Sequence, residues 1–86
     1  PFKSVEDFIL KLPSQYKKAE TLTPLIQLGL FDSFDKNRQK IIHNLDNLFV
    51  FADAFGSFFA EEEYSWMEVE DYSDSEKYEL EQSIIG

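Results

Sequence analysis

Six apolar residues, Ile41, Leu45, Leu48, Ala52, Phe55 and Phe59, recur in alternating steps of four and three. Only an α-helix brings such steps onto one face. Ile42 and Phe49 widen the stripe. The spacing predicts a helix from about Lys36 to Phe55, reaching Phe59 at its longest, with one side that must be buried. Domains as small as these 86 residues bury roughly 60–65% of their unfolded surface, so the core has to be efficient. The apolar share of 43%, with 16% aromatic, is enough for a packed fold and too much for a disordered tail.

The partners are read as helices too. Three glycines and three prolines are too few for a fold of many β-turns. A first helix is expected over Ser4–Leu12, with Ser4 as cap and Asp7 at the reciprocal position of a capping box. Val5, Phe8, Ile9 and Leu12 form its apolar face, and Pro13 ends it. A second is expected over Glu20–Leu28. Thr21 or Thr23 would cap it, with Pro24 in its first turn and Gly29 as the left-handed residue that stops it. The connector Leu30–Asp35 carries two Phe residues expected to pack inward, and Asp35 is expected to cap the long helix. After Gly56 the chain turns acidic through Asp74, with Trp66, Met67 and Val69 as anchors of a solvated connector. Ser73-Asp74-Ser75-Glu76 is a capping box that opens a fourth helix, with Leu80, Ile84 and Ile85 as an apolar edge and Lys77–Glu81 as an i,i+4 pair. The fold class is therefore all-α: a small domain of about four helices with a hairpin between the second and third.

The charge divides unevenly. Residues 1–43 hold seven cations and five acids, a net of +2, whereas residues 44–86 hold Lys77 against twelve acids, a net of −11. The first half suits a polyanionic partner and the second repels one. Cysteine is absent, which removes disulfides, thiolate chemistry and cysteine zinc sites and fits a cytoplasmic protein. No apolar run nears the roughly 18 residues of a membrane span, so no membrane partner is expected. His43, the one histidine, cannot form a zinc site alone. A calcium loop starting at Asp71 would have Glu76 at its glycine position and Gln82 at its bidentate Glu position. No phosphate-binding Gly-x-x-x-x-Gly-Lys loop is present. The carboxylates form one run without basic or His partners, not a cluster for two metal ions. The chain itself is thus expected to be non-catalytic and to need no cofactor. Its start at Pro1 and its finish at Ile84-Ile85-Gly86 read as those of a piece cut from a longer protein.

The segment Leu25-Ile26-Gln27-Leu28-Gly29-Leu30-Phe31-Asp32-Ser33-Phe34, followed by Asn37-Arg38 before an apolar helix, resembles a signature of the bacterial DNA polymerase III alpha family. There the pattern runs roughly Leu-Ile-x-x-Gly-Ala-Phe-Asp-x-Leu, a short gap, then Asn-Arg. Upstream, Val5-Glu6-Asp7-Phe8 resembles the family's Leu-x-Asp-Phe. Downstream, Trp66, Tyr72-Ser73 and Glu76–Glu81 resemble its approach to a glycine and a His-Pro-Leu motif. Leu30 stands where the family usually has Ala.

The resemblance implies a helix-hairpin-helix domain over residues 1–59. Residues 60–86 would be an acidic connector and terminal helix leading to the parent's next domain. It implies a replicative parent, a DNA-directed nucleotidyltransferase whose catalytic aspartates and magnesium lie far upstream. Such a hairpin places or supports duplex DNA without reading its sequence, through main-chain amides and a helix N-terminus aimed at phosphates. On this reading Gly29 and Leu30 offer main chain, and Lys36, Asn37, Arg38 and Lys40 offer side chains. DNA-gripping hairpins carry Gly-x-Gly, but Phe31 occupies the second glycine position here. In the family this looks like the second hairpin of a tandem pair, the packing partner of a more typical one upstream. The partners implied are duplex DNA and the other polymerase domains. Apolar surface left uncovered could also pair two copies of the fragment. The composition supports an acidic protein-interaction module or DNA mimic better than it supports DNA binding.

Overall fold

The computed structural model describes residues 2–55 and 64–86. Four α-helices follow in order: α1 (Val5–Lys11), α2 (Ala19–Gln27), α3 (Arg38–Phe55) and α4 (Asp74–Ile85), with a short 3-10 turn at Ser14–Tyr16 between the first two. The fold is all-α among these residues. The expected reach of the long helix to Phe59, and the acids Glu61–Glu63, lie outside the described residues.

The long stripe organises the core as its spacing demands. Ile41, Leu45, Leu48 and Ala52 of α3 are buried together with Val5 and Ile9 of α1, Leu22 and Ile26 of α2, and Phe31 from the connector. Helices α1 and α2 both pack on α3, and α4 packs on α2. The aromatic rings extend this core. Phe8 bridges Phe2 and Phe31 edge to face, with centroids 4.9 Å apart in each case. Phe34 stands 6.5 Å from Phe31 and keeps 42% of its surface exposed, so of the two connector Phe residues one is buried and one is not.

Helix caps differ from the sequence expectation at α1, α2 and α3. Ser4 caps α1 through the amide of Asp7, but the Asp7 carboxylate accepts from Lys3 N rather than from Ser4 N. Helix α2 starts early, with Lys18 at its cap and no side-chain cap bond. Neither Thr21 nor Thr23 caps it, and Pro24 sits inside the helix, not in its first turn. There its missing N–H leaves the Glu20 carbonyl without its usual helical donor. Asp35 does not cap α3. Its carboxylate accepts from Asn37 N at 2.9 Å, and the Asn37 side chain in turn accepts from Lys40 N at 2.9 Å, so Asn37 is the cap. The Ser73–Glu76 capping box of α4 is formed in full. The expected Lys77–Glu81 pair is replaced by longer-range pairs, Lys77 with Asp71 and Glu81 with Arg38.

Residues 64–73 run without helix as a strap along α3. Its polar attachments fall on alternate residues, 67, 69 and 71. Asn44 binds both the carbonyl and the amide of Met67, Asn37 donates to the Val69 carbonyl, and Asp71 accepts from Gln39 N. Trp66 is half-buried against the core and edge-on to Tyr64, with centroids 5.1 Å apart.

Candidate functional site

The residues nominated from sequence gather at the junction of α2 and α3. Helix α2 ends in a left-handed glycine cap: Gly29 has φ of 97°, its amide donates to Ile26 O at 2.9 Å, and the Leu30 amide donates to Leu25 O at 3.1 Å. Both amides therefore point back into the helix they terminate. The chain then turns through Asp32 N to Gly29 O and through Phe34 N and Asp35 N to Phe31 O. Phe31, at the second glycine position of a gripping hairpin, is 2% exposed and forms part of the core.

Arg38 opens α3 and points inward. Its Nε and Nη2 clasp both oxygens of Asp32 at 3.1 and 2.8 Å, and Nη1 donates to Gln27 O at 2.9 Å and to Glu81 at 2.6 Å. Only 8% of the residue is exposed. The Asp32 bonds hold the guanidinium above its ordinary pKa against the opposing effect of burial, and Glu81 adds to them. A two-toothed carboxylate clasp of this kind needs arginine's planar fork. The same pair explains a further demand on Gly29: a Cβ there would lie 2.9 Å from both Arg38 Nη2 and Asp32 Oδ2.

The remaining nominees divide. Lys40 is ion-paired with Asp35 at 3.3 Å and with Glu68 at 3.5 Å, and its ammonium lies 5.3 Å from the Trp66 ring centroid. Burial would lower its pKa, but the Asp35 and Glu68 carboxylates outweigh that and raise it. Asn37 is engaged as cap and strap anchor. Lys36 is exposed, and its carbonyl accepts from Lys77 at 3.3 Å. The structure thus brings all six residues together, but of the cationic side chains only that of Lys36 faces solvent. The first turn of α3 already holds a carboxylate, since Asp71 accepts from Gln39 N at 3.3 Å and pairs with Lys77 at 2.7 Å.

Sequence reasoning missed Asn44. It is fully buried, and every polar valence of its amide is used: the NH2 donates to Lys40 O and Met67 O, and the oxygen accepts from Tyr64 Oη and Met67 N. A signal was available, because Asn44 lies three residues after Ile41 and four before Leu48, in line with the buried stripe. His43 is exposed. Among the described residues no group of three or more His, Asp or Glu is placed to hold a metal ion, and no helix is long and apolar enough to cross a membrane.

Over all 86 residues the chain is 52% identical to DNA polymerase III subunit alpha of Streptococcus pyogenes serotype M3. The chain is homologous to a segment of the DNA polymerase III alpha family. The subunit from serotype M6 is 51% identical over the same span, and that of Borreliella burgdorferi is 40% identical over 47 residues, 55% of this chain. The chain spans 8% of the length of the streptococcal polymerase subunits it matches, and its match covers 4% of the Borreliella one. No family model matches it, and no solved structure does. Among its described residues this segment thus has an all-α fold in which Arg38 closes the junction of α2 and α3.

Proposed function

We propose that this chain is a non-catalytic brace within a replicative DNA polymerase, a helix-hairpin-helix unit that supports the placement of duplex DNA without gripping the backbone strongly by itself. One observation carries this reading: the groups a gripping hairpin would offer to phosphates are bonded within the chain. The Gly29 and Leu30 amides close α2, Arg38 is clasped by Asp32 and Glu81, and Lys40 lies between Asp35 and Glu68. Phosphate contact needs free cationic donors, and among the nominated residues Lys36 supplies the exposed one. Its partners are then the other parts of the polymerase chain. Leu25, Leu28, Leu30 and Phe34, each 37–44% exposed, give those parts an apolar surface at the hairpin. Polymerase activity, its magnesium and a cytoplasmic setting belong to the parent on this reading.

The test is NMR shift mapping of the 86-residue chain with a short DNA duplex at low and moderate salt. The expected result is that the amides of Gly29–Lys40 do not move, with at most a weak, salt-sensitive shift at Lys36. Strong salt-sensitive shifts across Gly29–Lys40 would overturn the brace and make the hairpin an autonomous grip.

A second reading, an acidic module that docks on a basic surface, is favoured by the ordered strap. Glu68 and Glu70 are exposed on a segment pinned to α3. Shifts of the strap amides on adding a polycation, reversed by salt, would support it.

A further inference from the structure

Helix α4 is attached differently from the rest of the molecule. No residue of α4 is buried, and Leu80 and Ile84 are half-buried at its edge. It packs on α2, whereas α1, α2 and α3 share the buried core. The ties that fix α4 in place are charged: Glu81 to Arg38 at 2.6 Å, Lys77 to Asp71 at 2.7 Å, and Lys77 Nζ to the Lys36 carbonyl at 3.3 Å. A neutral tie at its root, Gln27 to the Tyr72 hydroxyl, is long at 3.5 Å. Arg38 would keep its clasp on Asp32 if Glu81 left, so release of α4 does not strand that buried charge.

We propose that α4 is an ion-paired cover that opens as a unit from a folded body of α1, α2 and α3, and that opening bares Arg38 to competing anions. Local opening of this kind draws on elements with few buried apolar contacts. Salt screens the Arg38–Glu81 and Lys77–Asp71 pairs, though less than it would fully exposed ones, and it leaves the apolar core in place. The inference uses contacts within the chain alone and stands whether or not the brace reading holds.

Amide hydrogen exchange of the whole chain tests it, comparing Leu80 and Glu81 in the body of α4 with Leu45 and Leu48 in α3, at low and high sodium chloride. The expected result is exchange at least roughly tenfold faster in α4 than in α3, faster again at high salt, with α3 unmoved. Glu81→Gln should reproduce the high-salt behaviour at low salt and should shift the Arg38 Nε–H resonance. Equal rates in α4 and α3, or α4 rates indifferent to both salt and Glu81→Gln, would overturn it. So would a Glu81→Gln chain that fails to fold, because a cover is dispensable to the body beneath it.

Discussion

Gly29 and Asn44 are two residues whose replacement costs this fold stability for reasons other than size. At Gly29 an added Cβ meets both a left-handed backbone and the Arg38–Asp32 pair at 2.9 Å. The backbone strain alone is worth about 1–2 kcal/mol, so Gly29→Ala should lower unfolding stability in urea by at least that much. At Asn44 four hydrogen bonds converge in a site with no exposed surface. Asn44→Leu keeps the volume but leaves the Met67 amide and carbonyl and the Tyr64 hydroxyl unpaired, at about 1–3 kcal/mol for each group that stays buried. Thermal melts should show a large loss, and Tyr64→Phe, which removes one bond, a loss near 1 kcal/mol. The glycine's role as a helix stop was legible in the sequence, because a terminating glycine follows an apolar period. The asparagine's role was not, since a polar letter inside a stripe names a buried amide only once its partner is known. That partner is a backbone more than twenty residues away, which periodicity does not see.

Among the elements, α2 carries a removable defect. Pro24 deprives the Glu20 carbonyl of its helical donor. Pro24→Ala restores the bond, and the melting temperature should rise, by an amount corresponding to about 1 kcal/mol after the greater freedom of the unfolded chain is deducted. The strap behaves oppositely, because its attachment depends on register. Residues 67, 69 and 71 alternate onto α3, so inserting one residue between Met67 and Asp71 turns one side of that alternation away from Asn37, Asn44 and Gln39. Such an insertion should release the strap, seen as a red shift of Trp66 emission, whereas a two-residue insertion should be better tolerated. The helices were legible in the sequence, since each has its apolar period, and the capping box of α4 was read in full. Their starts were less so: the Thr residues near α2 and Asp35 before α3 are good caps by type, but α2 starts from Lys18 with no side-chain cap, and Asn37 takes the capping role at α3. The strap's anchoring through Trp66 was read, but its polar attachment was not, because Asn37, Asn44 and Gln39 meet it at main-chain atoms of Met67 and Val69 and at the Asp71 carboxylate, far from them along the chain.

For the whole molecule, acid should loosen the acidic half. Burial alone would raise the Asp71 pKa, but the bond from Lys77 and the amides of Gln39 and Tyr72 outweigh it and hold the carboxyl below its ordinary value. A carboxyl depressed in the folded state stabilises it fully above the unfolded pKa, near 4, and loses that contribution as pH falls through the folded value. Helicity and Trp66 emission should therefore hold from neutral pH down to about pH 4 and decline below it, with Asp71→Asn removing part of the decline. That the six nominated residues gather at the junction of α2 and α3 was legible, but the wiring of that junction was not. The acids that pair with Arg38 and Lys40 include Glu81 and Glu68, which lie 43 and 28 positions further along and share no local pattern with them. The attachment of α4 also has a mechanical meaning. Force applied along that helix meets two ion pairs before any buried side chain, so under load α4 would act as a fuse. It should part at low tension and re-form when the tension falls, leaving α1, α2 and α3 intact.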